Sequence, residues 1–138
     1  MWKKFEISTT AESKCDLTIQ VVRVKGYLDS STFPQMQDHL QDLLNQRQYN
    51  IVVEFGDLNY ISSAGLGVLM GMLQEIRNQE GDLKLANMPP KIRNLFDMLG
   101  FSRLIRIYDS VQEAEDAFCN DKQERMTEQD KPPLEDSY

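Results

Sequence analysis

The chain has 138 residues, 41% of them hydrophobic and 27% charged, which is typical of one globular domain that can bury a sizeable core. Its formal net charge of −7 argues against a nucleic-acid binder, because phosphate contacts need clustered Lys and Arg, and it disfavours docking on an anionic membrane surface. No apolar stretch approaches the roughly 18 residues that a membrane-spanning helix needs.

The start of the chain and its cysteines indicate the compartment. The residues that follow Lys3 and Lys4 are polar, unlike the hydrophobic region of a signal peptide. Cys15 and Cys119 lie far apart in the sequence and form neither a metal-binding nor a redox spacing. We therefore expect reduced cysteines in an intracellular, cytoplasmic protein.

Two strands are predicted first. A short one covers residues 5–9, and a longer one covers the segment CDLTIQVVRVKG and ends at Gly26. Apolar residues occupy both faces of the longer strand, namely Leu17, Ile19 and Val21 on one face and Val22 and Val24 on the other. This alternation indicates one well-buried face and one that is partly covered. The loop YLDSST, which is rich in turn-forming residues, follows.

A helix and a buried strand come next. Thr32 and Gln35 match a capping box, and Pro34 fits the first turn of a helix. The apolar residues of this helix fall on one stripe: Phe33, Met36, Leu40, Leu43 and Leu44. The segment YNIVVEF is almost continuously apolar, which predicts a strand that is buried on both faces between parallel neighbours.

Two further strand–helix pairs complete the predicted fold. A helix from Ala64 to about Asn78 carries an apolar side made of Leu66, Leu69, Met70, Leu73 and Ile76. The segments GDLKLANM and RLIRIY predict short strands, and PPKIRNLFDMLG predicts a helix between them. Ser110 and Glu113 open a last helix with another capping box, and its packing residues end at Phe118.

The alternation of these elements predicts an α/β fold with a mixed, mostly parallel sheet of about four to five strands and about four helices. We assign this domain to residues 1–118. Residues 119–138 carry six acidic and three basic residues and almost nothing apolar, which predicts a disordered acidic tail. In such folds the sites lie where strands lead into helices, here at GYLDSST and NYISSAGLG.

The adjacent serines Ser62 and Ser63 raise the question of catalysis. A nucleophile elbow requires G-x-S-x-G, but Ile61 stands at the first glycine position of the match centred on Ser63. The only histidine, His39, precedes the serines and lies on a predicted helix among polar neighbours. The segment also lacks the lysine and spacing of a phosphate-binding loop, and no metal ligands accompany it. We therefore predict no enzyme activity, no cofactor and no metal.

Helix capping explains only one of the two serines, because a single residue can occupy the N-cap. If Ser62 is the cap, Ser63 is the first helical residue and its hydroxyl faces solvent. If Ser63 is the cap, Ser62 lies in the loop. Either way one hydroxyl is spare at the positive end of a helix, where unpaired amides and the helix dipole tolerate a phosphate well. The residues alone leave plain capping and phosphorylation both open.

The two segments in which a strand leads into a helix, GYLDSST and NYISSAGLG, resemble motifs of the STAS family, the anti-sigma factor antagonists of bacterial partner-switching systems. The family signature D-S-[ST]-G-L-G is similar to the run Ser62, Ser63, Ala64, Gly65, Leu66, Gly67. A second family element, G-[DE]-[LI]-D, matches at Gly26, Leu28 and Asp29. The resemblance covers residues 5–118, follows the family's order of elements and implies the STAS fold.

This resemblance implies a function. A family member binds a serine-kinase anti-sigma factor when it is unphosphorylated and so frees a sigma factor for transcription. The kinase phosphorylates the serine that aligns with Ser63, and a PP2C-type phosphatase reverses the step. Asp29 is expected close to Ser63, and the partner-facing surface is expected to comprise Asp29, Ser30, Ser31, Thr32, Ser62, Ala64, Gly65, Leu66 and Gly67, with Leu66 as an apolar anchor. We expect a monomer when no partner is bound.

The sequence departs from the family pattern in two places. Ser62 stands where the family has Asp, which removes a charge beside the acceptor and makes Ser62 a second candidate for modification. Tyr27 replaces the usual acidic residue before Leu28. An alternative function is a STAS scaffold that is never phosphorylated, such as a subunit of a signalling or transport complex.

Overall fold

The structure, a computed structural model, describes residues 4–130. Its elements in chain order are β1 (Phe5–Lys14), β2 (Leu17–Leu28), α1 (Phe33–Asn45), β3 (Asn50–Ile61), α2 (Ser63–Asn78), β4 (Asp82–Ala86), α3 (Pro90–Met98), a 3₁₀ turn (Phe101–Arg103), β5 (Ile107–Tyr108) and α4 (Val111–Asp130). The five strands form one sheet in the order β1-β2-β3-β4-β5. Strand β1 pairs antiparallel to β2 and the other pairs are parallel, which confirms the predicted mixed sheet and helix count.

Both faces of the sheet are covered, as the two-sided apolar pattern of β2 predicts. Val22 and Val24 of β2 lie in the larger core, which β3 and β4 share with helices α1, α2 and α3. Ile19 and Val21 of the same strand lie in a smaller core beneath α4. Since burial of apolar surface is the main favourable term in folding, this double covering fixes the central strands. It also holds the carboxyl ends of β2 and β3 side by side.

The last helix differs from the sequence prediction, because it does not end near Phe118 but continues to Asp130. Polar contacts hold this part of α4 where apolar ones are lacking. The Asp121 carboxylate pairs with Lys84 of β4 at 2.8 Å, and the Arg125 guanidinium donates to the Glu80 carbonyl at 2.9 Å. The expected disorder is therefore wrong for residues 119–130, and the rest of the predicted tail, residues 131–138, lies outside the described residues.

The two cysteines also differ from expectation. Cys15, in the turn between β1 and β2, forms a disulfide with Cys119 of α4, and their Cα atoms lie 5.9 Å apart. The expected pair of reduced cysteines is thus not what the structure contains. A separation of 104 residues hid the pair, because only the packing of α4 across the sheet brings the two ends together.

Next to this disulfide, α4 buries a carboxyl group against β1. Glu115 is only 7% exposed. Burial and a hydrogen bond with Glu12 raise the pKa of Glu115 to about 7, and the charge of Lys14 opposes this shift. Lys14 is engaged by Asp116 at 2.5 Å. The pair formed by Glu115 and Glu12 is therefore most favourable when one of the two carboxyl groups is protonated.

We expect this pair to make stability fall with rising pH. The folded-state pKa of Glu115 lies above its ordinary value of 4.5, so its contribution is fully present below pH 4.5 and is lost as the pH rises through about 7. Glu115→Gln, which stays neutral, should therefore gain stability over the wild-type protein as the pH rises. Urea unfolding at pH 5 and pH 8 measures this, with Glu75→Gln on the exposed side of α2 as control. A Glu115→Gln difference that does not grow with pH would contradict the assignment.

Candidate functional site

The start of α2 resolves which serine is the cap. Ser62 has extended backbone angles (φ −94°, ψ 171°), and its hydroxyl oxygen accepts a hydrogen bond from the Gly65 amide at 3.3 Å. Ser62 is therefore the N-cap. Ser63 is the first residue of α2 and is exposed, so its hydroxyl is free of the capping role and reachable from solvent.

Gly65 lets the end of β2 lie against the first turn of α2. A Cβ atom at Gly65 would lie 2.9 Å from the Leu28 Cγ and 3.0 Å from the Leu28 carbonyl oxygen. That same carbonyl accepts a hydrogen bond from the Ser62 amide at 2.9 Å. Any side chain at Gly65 would push these segments apart, which gives a physical reason for glycine at this point of the motif. The loop after β2 and the start of α2 thus form one continuous surface.

The loop at Asp29 is shaped by a buried hydroxyl. Thr32 is 4% exposed, and its Oγ1 donates to the Tyr27 carbonyl at 2.7 Å and accepts from the Asp29 amide at 2.9 Å. The capping box predicted with Gln35 does not form, because the Thr32 hydroxyl is used inside the loop. Thr32 was also expected on the partner-facing surface. That placement is wrong for its side chain, which instead holds the loop closed.

The Asp29 carboxylate is held by neighbours that the sequence did not indicate. It pairs with the Lys4 ammonium at 2.6 Å and accepts hydrogen bonds from the amide and hydroxyl of Ser31 at 2.9 and 2.7 Å. The hydrogen bond from Lys4, and to a lesser degree those from Ser31, hold the pKa of Asp29 far below its usual range. The Asp29 side chain is therefore anionic at physiological pH. Lys4 also donates to the Ser31 hydroxyl at 2.9 Å.

Gly26 explains how Lys4 reaches this loop. Its φ is +97°, and a Cβ atom there would lie 2.1 Å from the Lys4 carbonyl oxygen, so only glycine fits. That carbonyl accepts from the Tyr27 amide at 2.8 Å. The start of β1 is therefore fixed beside the loop, although Lys4 and Asp29 are distant in sequence. No local sequence pattern points to this contact, because it depends on the pairing of Phe5 with Gly26 across β1 and β2.

The remaining predicted residues divide by exposure. Leu66 is 2% exposed and packs in the core, so its predicted role as an apolar anchor for a partner is wrong. Gly65 is likewise buried. The exposed or half-buried residues around the start of α2 are Asp29, Ser30, Ser31, Ser62, Ser63, Ala64 and Gly67, together with Tyr60, and we call this set the α2 surface.

Tyr60 is the apolar residue of this surface that the sequence analysis missed. It is 49% exposed and lies two residues before Ser62. Its ring centroid is 6.5 Å from that of Tyr27, its partner across the β2–β3 ladder. Tyr27 is the residue that replaces the family's acidic residue, so an aromatic pair stands where the pattern has a charge. Exposed tyrosines are enriched among residues that dominate binding energy at interfaces.

The structure brings no metal-binding group together at this surface. Within residues 4–130, no three His, Cys, Asp or Glu side chains are placed to hold a metal ion. His39 lies on α1 and contacts the Thr9 hydroxyl of β1, away from the serines. Over the same part of the chain, none of the helices combines the length and the apolar character needed to cross a membrane.

Comparisons with known proteins agree with this architecture. The STAS domain model matches residues 10–114. Among curated relatives, an anti-sigma F factor antagonist of Paenibacillus polymyxa is 29% identical over 93 residues, covering 67% of this chain and 80% of that protein. An anti-sigma-B factor antagonist of Staphylococcus aureus is 26% identical over 106 residues, covering 77% of this chain and 94% of that protein.

Solved structures show the same fold. An anti-sigma factor antagonist from Mycobacterium paratuberculosis superimposes with a TM-score of 0.69 at 19% identity, covering 81% of this chain and 93% of that one. The Bacillus cell fate determinant SpoIIAA in its phosphorylated form gives a TM-score of 0.60 at 23% identity, covering 80% of this chain and 99% of that one. The STAS domain model matches three quarters of this chain, and the five-stranded sheet of the chain has the fold of the solved relatives. This chain therefore belongs to the STAS domain family.

Proposed function

We propose that the protein is an anti-sigma factor antagonist whose α2 surface binds a serine-kinase anti-sigma factor while Ser63 is unmodified. When that kinase phosphorylates Ser63, the two proteins separate. A PP2C-type phosphatase removes the phosphate and restores binding, and this cycle regulates sigma-factor-dependent transcription. The observation that carries this proposal is the exposed Ser63 side chain one residue after the N-cap Ser62. The names of the curated relatives support the coarser function, anti-sigma factor antagonism.

The position of Ser63 suits a phosphate in the free protein. Phosphorylation adds about −1.5 to −2 charges, and the unpaired amides and the dipole at a helix N-terminus favour an anion. No basic residue lies in the first turn of α2, and Lys4 already forms an ion pair with Asp29, so Lys4 is not free to neutralise the phosphate. The modified protein therefore keeps its fold, while the surface becomes strongly negative.

The same charge opposes a docked partner. The unmodified α2 surface is small and polar, with hydroxyl groups, one carboxylate and the exposed ring of Tyr60. Gly67 lies one turn after Ser63, and within the described part of the chain nothing comes within 4 Å of a Cβ atom built on it, so a partner backbone can approach α2 closely. A phosphate between two closely packed surfaces would be desolvated or face like charge, which costs several kcal/mol.

The proposal carries further expectations. The protein acts by binding rather than by catalysis and needs no cofactor, no nucleic acid and no membrane. It works in the cytoplasm, where the kinase has ATP, and is a monomer between binding events.

The decisive experiment maps the phosphate. The full chain is incubated with ATP and the serine-kinase anti-sigma factor that co-purifies with it from its own cells, and the modified residue is located by mass spectrometry. We expect one phosphate on Ser63, none in Ser63→Ala, and full labelling of Ser62→Asn, since asparagine keeps the N-cap but carries no hydroxyl. Labelling of Ser62 instead would contradict the assignment of the acceptor, and binding without any labelling would favour the unphosphorylated scaffold.

A further inference from the structure

The Cys15–Cys119 disulfide lies within a group of contacts that tie α4 to the hairpin of β1 and β2. The Lys122 ammonium of α4 donates to the Cys15 carbonyl at 2.8 Å. Lys14 of β1 pairs with Asp116 of α4 at 2.5 Å. The disulfide is the one covalent link in this group, and it joins a turn to a helix that approach each other only in the folded chain.

The part of α4 beyond Phe118 depends on these links. Ala114 and Phe118 are the last α4 residues in the smaller core, so the next turns bury little apolar surface. We call residues 119–126 the α4 extension. It is held by the disulfide and by polar contacts such as Asp121–Lys84 and Arg125 to the Glu80 carbonyl. The disulfide is the one covalent restraint on this segment, and it joins the first residue of the extension to the turn between β1 and β2.

Both cysteines are placed where a small thiol can reach them. Cys15 is exposed and Cys119 is half-buried. The two residues of the turn, Cys15 and Asp16, both have positive φ (48° and 60°), a conformation that turns usually give to glycine or asparagine. Turn formation therefore does not account for a cysteine at this position. The Lys122 ammonium contacts the backbone carbonyl of Cys15 and so holds α4 against this turn.

We propose that Cys15 and Cys119 form a reversible thiol–disulfide site that takes low-molecular-weight thiols and their disulfides as reactants and controls how firmly the α4 extension is held on the sheet. This site lies on the α4 side of the sheet, opposite the helix that carries Ser63, and it does not depend on the proposed phosphorylation. The oxidised form holds the extension, and the reduced form releases it.

The chemistry is an ordinary two-electron exchange. The thiolate of a small thiol such as glutathione attacks the Cys15 sulfur and expels the Cys119 thiolate, which takes a proton from water. A second glutathione thiolate attacks the glutathione sulfur of the mixed disulfide, releasing Cys15 and glutathione disulfide. The protein disulfide is thereby reduced and two glutathione molecules are oxidised. Glutathione disulfide drives the same steps in reverse.

The test uses the full folded chain in glutathione buffers of different oxidised-to-reduced ratio. Alkylation of free thiols followed by mass spectrometry gives the fraction of disulfide. We expect it to change from mostly reduced to mostly oxidised within the range of such buffers, because exposed disulfides are the labile ones. A pair that stays fully oxidised in excess reduced glutathione would be a purely structural bond, and a pair that never oxidises would be no redox site; either result overturns the proposal.

Hydrogen exchange tests the structural consequence. Reduction should speed amide exchange in the α4 extension by about tenfold or more, and it should leave α1 on the other side of the sheet within about twofold. Cys119→Ser should show the fast exchange with or without dithiothreitol, which separates loss of the bond from an effect of the reductant. If reducing the wild-type protein in place leaves the exchange of residues 119–126 unchanged, the disulfide does not control this segment.

Discussion

Ser63→Asp is expected to bind the serine-kinase anti-sigma factor about 30- to 1,000-fold more weakly than the wild-type protein, a loss of about 2–4 kcal/mol. Ser63→Ala is expected to bind as the wild-type protein does. The aspartate places a permanent charge at the first residue of α2, on the surface that we propose for docking. In the complex this charge would be desolvated or face like charge, and both are costly.

Stability measurements separate this effect from unfolding. An acidic residue in the first turn of a helix is favourable by about 0.3–1 kcal/mol, because it interacts with the positive end of the helix dipole. Ser63→Asp should therefore melt at or slightly above the temperature of the wild-type protein while it loses its partner. A drop in melting temperature would indicate that the substitution damages the start of α2. Weaker binding could then not be attributed to charge repulsion between the two proteins.

Calorimetric titration with the isolated anti-sigma factor measures the affinities. Ser13→Asp is the matched control, because it adds the same charge at an exposed position far from the α2 surface. Ser13 pairs with the start of β2, whereas the α2 surface lies at the end of β2, beside Leu28. It should bind like the wild-type protein. Equal affinities for Ser63→Asp, Ser63→Ala and the control would rule out a switch at Ser63.

Local sequence patterns predicted the parts of this structure that local physics determines. Apolar residues at every second position of β2 place Val21 and Val22 in different cores, and the structure has them there. The serine pair was expected at the start of a helix, and Ser62 is its N-cap. The periodicities of strands and helices and the chemistry of caps act over a few residues, so they can be read directly from the chain.

The failures have a common cause, since each involves a contact between distant segments. The α4 extension looks like a solvated tail because its composition contains no hint of Lys84, whose pairing with Asp121 helps to order it. The ion pair of Lys4 with Asp29 exists only because β1 runs back along β2. Leu66 could not be assigned from sequence because it fits both a buried stripe and a partner surface, and packing places it in the core.

Lys84→Ala is expected to lower the free energy of unfolding by about 3–5 kcal/mol, a large fraction of the stability of a small domain. Lys84 is 2% exposed on the side of β4 that faces α4. Its ammonium lies 3.0 Å from an Asp82 oxygen and 2.8 Å from an Asp121 oxygen. It also lies 4.7 Å from the ring centroid of Phe118, a favourable cation–π distance.

The charge of Lys84 is firmly fixed. Burial by itself would lower the pKa of Lys84, but the hydrogen bonds and charges of Asp121 and Asp82 outweigh it and raise the pKa above the ordinary value. Lys84 is therefore an ammonium ion throughout the physiological range. Alanine would remove the cation–π contact with Phe118, leave two carboxylates without their partner and open a cavity beneath Phe118, so three costs add.

A second substitution separates the cavity from the charge. Lys84→Met keeps most of the volume, and the side chains of Asp82 and Asp121 are 23% and 42% exposed, so water can solvate them once the cation is gone. We expect Lys84→Met to lose clearly less stability than Lys84→Ala in urea unfolding. Lys91→Ala, at an exposed position of α3, should change stability by less than about 0.5 kcal/mol. If Lys84→Ala costs no more than Lys91→Ala, the pairing with Lys84 does not hold α4 in place, and the ordering of residues 119–126 must rest on the disulfide.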